Sequence, residues 1–189
     1  MSLHLSPRHT ALVLIDLQEG IVSLPTAPRT GADVVQASKV TAEHFRKAGA
    51  PVVLVNVAFS ADGKDALTAP VDQPLHTSDE ALPDNWADLV PGLAQPGDLL
   101  VTKHQWGAFY GTDLDLQLRR RGVKTIVLGG IATNMGVEST ARAAHEHGYD
   151  VILLEDLTSG LDAEMHDFAF QRLFPLLGRV RQSSDITFG

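Results

Sequence analysis

The sequence contains no cysteine among its 189 residues. This absence excludes disulfide bonds, thiolate metal ligands and a cysteine nucleophile. Long hydrophobic runs are also missing: residues 11–15 form one of the longest, far short of the roughly 20 apolar residues that span a membrane. The amino terminus lacks the charged and apolar regions of a secretory signal. We therefore expect a cytoplasmic protein without a membrane partner.

Basic residues are scarce, with 15 Lys and Arg against 23 Asp and Glu, which gives a net charge of −8. Because nonspecific nucleic-acid binders are usually basic, we expect no nucleic-acid partner. The composition, 44% hydrophobic and 20% charged, is that of an ordinary globular protein. A chain of this length corresponds to about one domain, which buries roughly 70% of its surface on folding. We predict that residues 1–189 form a single domain.

Short β-branched runs alternate with helical patterns along the chain. Strands are predicted at residues 11–17, 51–58, 98–103, 124–129, 150–154 and 178–182. Helices are predicted at residues 33–48, 113–121, 135–147 and 162–174. Continuously apolar strands are covered on both faces, and strands that alternate with helices form right-handed parallel βαβ units. The pattern predicts an α/β fold, a three-layer α/β/α sandwich around a mostly parallel, Rossmann-like sheet of about six strands.

One connection, residues 59–98, interrupts this alternation. It contains five prolines and eight acidic residues, and Lys64 is its one basic residue. Connections of this length are usually functional or mobile. Two interpretations stay open: a solvated surface excursion with a short helix near Trp86, or a lid or oligomer contact.

Candidate site residues lie where the predicted parallel strands end, the edge at which open α/β sheets bind ligands. Asp16 ends the first strand and Lys103 the third. The run 129–134 follows the fourth strand and opens the helix that begins near Met135, where free N–H groups bind anions. The alternatives are a structural Asp16–Lys103 ion pair and glycines, Gly129 and Gly130, that only ease packing.

Several common site motifs are absent from the sequence. There is no G-x-G-x-x-G, no Walker lysine and no H-E-x-x-H, and the eight histidines are scattered. We therefore expect neither a metal nor a cofactor. Other candidate nucleophiles are Thr133, Ser139 and Thr140, none with an obvious base beside it in sequence, and local hydrogen bonding is the alternative for the last two.

Two stretches carry a family resemblance, VLIDLQEG and TKHQWGAFYGTDLDLQLRRRGVKTIVLGGIATNMGVESTARAA. Together they resemble the isochorismatase-like hydrolases of the cysteine hydrolase superfamily, whose relatives include nicotinamidases and N-carbamoylsarcosine amidases. The similarity runs from about Thr10 to Val180. In that family a cysteine at the start of the block's helix is the nucleophile, supported by an aspartate and a lysine. These positions correspond to Gly136, Asp16 and Lys103.

A glycine at position 136 excludes amide hydrolysis through a thioester, because no cysteine exists elsewhere to replace it. Isochorismatases also lack that cysteine and hydrolyse a vinyl ether, which needs a proton donor. The resemblance therefore implies Asp16 as general acid or base with Lys103 as its partner. Isochorismatases use a glutamine near the position of Ala58, so isochorismate itself is not favoured. The stretch FSADG lacks the histidines of the nicotinamidase metal site.

We expect a hydrolase that acts on a small metabolite, at a vinyl ether or another non-peptide C–O or C–N bond. Gly136 is expected to leave space in the catalytic centre. Residues expected to contact the substrate are the aromatic Trp106, Phe109 and Tyr110, with core packing the default for at least one of them, and the backbone of Ile131, Ala132, Thr133 and Asn134.

The resemblance also implies a cis peptide bond between Ile131 and Ala132, and a homo-oligomer, either a dimer or a tetramer. The alternative function is a non-catalytic small-molecule-binding protein on the same scaffold, which would bind a ligand tightly without turnover.

Overall fold

The protein is built around a six-stranded, entirely parallel sheet. The computed structural model describes residues 2–74 and 82–189. Its strands are β1 (Leu3–Leu5), β2 (Thr10–Ile15), β3 (Val52–Val57), β4 (Leu99–Lys103), β5 (Thr125–Ile131), β6 (Asp150–Ser159), β7 (Arg179–Arg181) and β8 (Ile186–Phe188). The main sheet has the order β4-β3-β2-β5-β6-β7 and parallel pairing throughout. The carboxyl ends of β2, β3, β4 and β5 therefore meet at one edge.

Helices cover both faces of the sheet. They are α1 (Glu19–Val22), α2 (Gly31–Ala48), α3 (Leu114–Arg120), α4 (Glu138–Glu146), α5 (Ala163–Phe168) and α6 (Phe174–Leu177). One hydrophobic core joins α2 to one face of the sheet, and a second joins α3, α4 and α6 to the other face. This confirms the predicted three-layer α/β/α fold. In the described part of the chain, no helix is both long and apolar enough to cross a membrane.

The long helix α2 begins and ends where its capping residues dictate. The Thr30 hydroxyl accepts a hydrogen bond from the Asp33 N–H, and the Asp33 carboxylate accepts one from the Thr30 N–H, which makes a capping box. Gly49 ends the helix in the left-handed region at φ 76°. The helix therefore starts two residues before the predicted position.

Several element boundaries differ from the sequence prediction. Strand β6 continues to Ser159 after a register shift, although the acidic pair Glu155 and Asp156 ends its apolar run. The predicted helix 162–174 divides into α5, a π-helical turn at Ala169–Leu173 and α6, where Pro175 lacks a donor for the helical pattern. The short parallel sheet of β1 and β8 was not predicted, because three-residue strands carry too little pattern.

Residues 82–98, the last part of the connection 59–98, contact the body of the protein. Residues 84–87 form turns, so the short helix predicted near Trp86 is wrong. Residues 75–81 of this connection lie outside the described residues. The segment ends on an ion pair: Arg46 of α2 donates from Nε and Nη2 to the two carboxylate oxygens of Asp98, at 3.0 and 2.7 Å. Arg46 also donates to the Leu93 carbonyl at 2.8 Å.

We predict that Asp98→Asn lowers the free energy of unfolding by roughly 1–3 kcal/mol, because it leaves a partly buried guanidinium without its counter-charge. The Asp98 side chain is only 4% exposed. Denaturant unfolding of purified protein measures the change. The matched control is Glu43→Gln, which removes the exposed Glu43–Lys47 pair of the same helix and should cost less than about 0.5 kcal/mol. Equal losses in the two variants would contradict the prediction.

Candidate functional site

The centre of the candidate site is a buried ion pair between Asp16 and Lys103. Asp16 follows β2, and Lys103 is the last residue of β4, so the pair reaches across the end of β3. The Lys103 Nζ atom donates to the Asp16 Oδ2 atom at 2.8 Å. Both residues are buried, Asp16 to 6% exposure and Lys103 to 1%. The sequence prediction that these two residues meet at one edge of the sheet is confirmed.

One carboxylate oxygen of Asp16 lacks a hydrogen-bond partner in the described part of the chain. Its Oδ1 atom is buried and has no hydrogen-bond partner among the described residues, while Lys103 also donates to the Gln105 carbonyl at 3.0 Å. Burial raises the pKa of Asp16 to about 6, and this effect outweighs the charge of Lys103, which lowers the pKa. Asp16 has φ 53°, a left-handed conformation that is uncommon for a residue with a side chain. Such backbone outliers cluster at functional sites.

The turn after β5 lies beside this pair. The Ile131–Ala132 peptide bond is cis, as the family resemblance implied, and a π-helical turn follows at Thr133–Val137. The N–H groups of Met135 and Val137 both donate to the Ala132 carbonyl, so neither is available to a ligand. Ile131 and Ala132 are themselves buried in the core that packs against α2. Their side chains therefore contribute to packing.

The two glycines that precede this turn have a structural role. A Cβ atom on Gly130, which has φ 125°, would collide with the backbone of Ile15 in the neighbouring strand. A Cβ atom on Gly129 would lie 2.8 Å from the Leu157 Cβ atom. The alternative that these glycines serve close packing is therefore the one that the structure supports.

Gly136 does not leave open space, contrary to the expectation from the sequence. A Cβ atom at this position would lie 2.7 Å from the Ile15 Cγ2 atom, 3.0 Å from the Asp16 Oδ2 atom and 3.3 Å from the Trp106 carbonyl oxygen. The first of these distances is shorter than real Cβ contacts. The protein has packed around the glycine, so the position where the family carries a cysteine is filled by neighbouring atoms.

The three aromatic residues predicted to line the site lie in different environments. Trp106 directs its carbonyl oxygen toward Gly136, and its side chain is 46% exposed. Phe109 is in the core, where its ring packs on His147 and Tyr149, so core packing is its role. Tyr110 is 84% exposed. Phe109 is therefore a core residue and does not line the site.

Thr133 has a partner that the sequence did not reveal. Its hydroxyl lies 2.7 Å from the Nδ1 atom of His166 in α5, 33 residues later. No local pattern could connect residues so far apart in the sequence. Thr140, by contrast, donates to the Gly136 carbonyl at 2.6 Å, which is the local bonding expected for a hydroxyl one turn into a helix.

Gln18 is a second buried polar residue that sequence reasoning missed. It is fully buried, accepts a hydrogen bond from the Val57 N–H at 2.8 Å and donates to the carbonyls of Val57 and Trp86, each at 3.0 Å. The Trp86 ring packs so closely on Gly20 that a Cβ atom there would overlap it, and it stacks on Phe59. Through Gln18, the segment around Trp86 is fixed against the ends of β2 and β3.

Two further observations concern metal ligands and the space beside the turn. Among the residues that the structure describes, no group of three or more His, Asp or Glu side chains is arranged to hold a metal ion. A shallow depression of about 420 Å³ lies beside the turn, lined by Asn134, Asp162, Glu164, Met165 and Phe168. Asn134 is the one predicted substrate-binding residue that lines it.

Comparison with known proteins agrees with this fold. The Isochorismatase domain family matches residues 10–185. The chain is 48% identical over 185 residues to the isochorismatase family protein YecD of Escherichia coli O157:H7, with 97% of each chain covered. A solved isochorismatase family protein of Burkholderia thailandensis is 48% identical and has a TM-score of 0.91, over 97% of this chain and 95% of that one.

A more distant relative is the ureidoacrylate amidohydrolase RutB of Agrobacterium fabrum, 32% identical over 186 residues that cover 83% of this chain and 78% of that protein. The family match extends over almost the whole chain, and two relatives approach half identity. The protein belongs to the isochorismatase family.

Proposed function

We propose that the protein is a hydrolase of a small metabolite that works without a covalent enzyme intermediate, with Asp16 as general acid and base. The observation that carries this proposal is the buried Asp16 carboxyl, which has one oxygen on Lys103 and the other, Oδ1, without a partner among the described residues. A carboxyl whose pKa lies near 6 exchanges protons efficiently at neutral pH.

The proposed reaction returns Asp16 to its starting, protonated form. When the leaving atom is protonated, Asp16 donates its proton to that atom, the C–O or C–N bond breaks as water adds to the electrophilic carbon, and the water gives one proton back to Asp16. When the vinyl carbon of a vinyl ether is protonated, water adds to the adjacent carbon and gives a proton to Asp16. Asp16 then donates this proton to the leaving oxygen as the C–O bond breaks, and the proton of the new hydroxyl returns to Asp16 as the carbonyl forms. Lys103 holds the carboxylate form between the transfers, because the ammonium stabilises the negative charge.

The substrate class follows from what the site lacks. With no cysteine in the chain, a vinyl ether or another activated C–O or C–N bond is favoured, since such bonds are broken by proton transfer and water. The name of the RutB relative, an amidohydrolase, adds ureido-type C–N bonds to the candidates. Donors to a developing anion would come from the N–H groups of Thr133, Asn134 and Gly136. A cytoplasmic location and a homo-oligomeric assembly stay predictions.

We predict that Asp16→Asn lowers turnover by about 10²–10⁴-fold, the usual contribution of general acid–base catalysis. The melting temperature should change little or rise, because the amide oxygen still accepts the Lys103 hydrogen bond and a desolvated charge is removed. A screen of vinyl ethers, ureido compounds, amides and esters supplies the substrate. If the pair were only structural, the variant would lose a few kcal/mol of stability, and activity would fall only with the folded fraction.

The pH profile of kcat/KM gives an independent test. If protonated Asp16 is the active form, kcat/KM falls about tenfold per pH unit above the pKa, which lies at about 6. Lys103→Met removes the charge that lowers this pKa, so the descending limb should move to higher pH. If the descending limb of kcat/KM lies at the same pH in Lys103→Met as in the wild type, Asp16 is not the group whose protonation controls the reaction. Tight ligand binding without turnover of any compound would favour the non-catalytic alternative.

The filled space at Gly136 generates a stability prediction. Gly136→Ala should lower the free energy of unfolding by roughly 1–3 kcal/mol, because the new methyl group displaces Ile15 or the Asp16 carboxylate. Gly107→Ala is the matched control at the same rim, since its Cβ atom would make an ordinary contact, 3.4 Å from the Ser139 Cβ atom. Equal stability of the Gly136→Ala protein and the wild type would show that the position has room for a side chain.

A further inference from the structure

A buried hydrogen bond ties the turn after β5 to a distant helix. Thr133 and His166 are both fully buried, and the Thr133 Oγ1 atom lies 2.7 Å from the His166 Nδ1 atom. Thr133 opens the π-helical turn that carries Gly136, and His166 lies in α5, after β6. The bond therefore joins the turn beside Asp16 to an element that approaches it from the other side of β5.

The next residue of the turn is tied to the same helix. Asn134 donates from its Nδ2 atom to the Met165 carbonyl at 3.1 Å, so consecutive turn residues bind consecutive residues of α5. The start of α5 is itself fixed, because the Asp162 carboxylate accepts a hydrogen bond from the Met165 N–H at 2.8 Å. The turn thus rests on a capped helix end.

Packing alone does not explain a histidine at this position. The His166 ring packs against the Phe170 ring at a tilt of 34°, with 4.6 Å between the ring centroids, and its Nε2 atom is buried without a partner among the described residues. An unpaired buried polar atom is destabilising, and an apolar side chain would avoid that penalty. Burial also lowers the pKa of His166 to about 4, so the ring is neutral at neutral pH.

A glycine lies beside the Thr133 hydroxyl. A Cβ atom on Gly160 would lie 3.3 Å from the Thr133 Oγ1 atom, so a glycine in the next strand connection makes room for this hydroxyl. A side chain at position 160 would therefore crowd the hydroxyl that binds His166.

We infer that Thr133 and His166 are a pair of positioning residues, which fix the turn so that its N–H groups face the space beside Asp16. This inference rests on the proposed function, because it assigns the turn to anion stabilisation in that site. Neither side chain touches the substrate: both are buried, and their effect passes through the backbone of the turn. A misplacement of about 1 Å in such a group reduces turnover by up to roughly 10²-fold.

Two pairs of variants test the inference. Thr133→Val replaces the hydroxyl with a methyl group of similar size, and Thr133→Ser keeps the hydroxyl. His166→Leu removes the ring nitrogen, and His166→Asn offers a polar atom near the place of Nδ1. The control is Ser38→Ala, which removes a fully buried hydroxyl of α2 that has no partner among the described residues.

The first measurement needs no substrate. In two-dimensional 1H–15N spectra of the free protein, Thr133→Val and His166→Leu should shift the amide resonances of Asn134 and Gly136, whereas Thr133→Ser, His166→Asn and Ser38→Ala leave them near their wild-type positions. If His166→Leu does not fold, Thr133→Val decides, because it exchanges one hydroxyl for a methyl group. Unshifted resonances in Thr133→Val would overturn the inference.

The second measurement uses the substrate found in the screen. Thr133→Val should lower kcat by roughly 10–10²-fold with a smaller change in KM, the result of losing an interaction made in the transition state, and Thr133→Ser should restore kcat. A fall in kcat that matches the loss of folded protein would overturn a positioning role. Shifted resonances in a protein that turns over no compound would contradict the proposed function and leave the structural effect of the pair established.

Discussion

The buried pair of Asp16 and Lys103 is the interaction on which the rest of the site depends. Two charges can be held out of water only where the attraction between them is strong and their remaining polar atoms find partners. Lys103 meets this condition through Asp16 and the Gln105 carbonyl. Asp16 meets it only in part, since Oδ1 has no partner in the described portion of the chain. The unsatisfied oxygen is an energetic defect in the fold and the reactive atom of the proposed mechanism.

The surrounding backbone is arranged to keep that pair in place. Asp16 adopts a left-handed φ of 53° and donates its N–H to the Val55 carbonyl at 2.8 Å, which fixes the direction of the side chain at the end of β2. Gln18 then joins the ends of β2 and β3 and holds the Trp86 segment against them. The strand end is thereby fixed from both sides, and a carboxylate in an uncommon backbone conformation does not relax toward water.

The sequence predicted the features that arise from local patterns. The apolar runs predicted the parallel sheet, and the helical pattern that stops at Gly49 predicted α2. The positions at which the strands end predicted that Asp16 and Lys103 belong to the site. The family resemblance predicted the cis bond between Ile131 and Ala132 and identified Gly136 as the position of the family's cysteine. These parts were accessible because each depends on neighbouring residues or on a motif.

The remaining features depend on contacts between distant residues. The partner of Thr133 is 33 positions away, and the hydrogen bonds of Gln18 reach Val57 and Trp86. The role of Phe109 in the core was undecided because an aromatic residue next to a strand end fits a pocket wall or a core equally well. Gly136 was misinterpreted for a related reason: the absence of a side chain says nothing about which neighbouring atoms occupy the space.

The packing at Gly136 adds to the constraint that the missing cysteine imposes. A Cβ atom at position 136 would lie 2.7 Å from the Ile15 Cγ2 atom and 3.0 Å from the Asp16 Oδ2 atom, which binds Lys103. A nucleophilic side chain there would therefore require Ile15 to move and Oδ2 to shift by a few tenths of an ångström. Under the proposed mechanism water takes the place of that nucleophile, and Oδ1 carries the proton in each transfer.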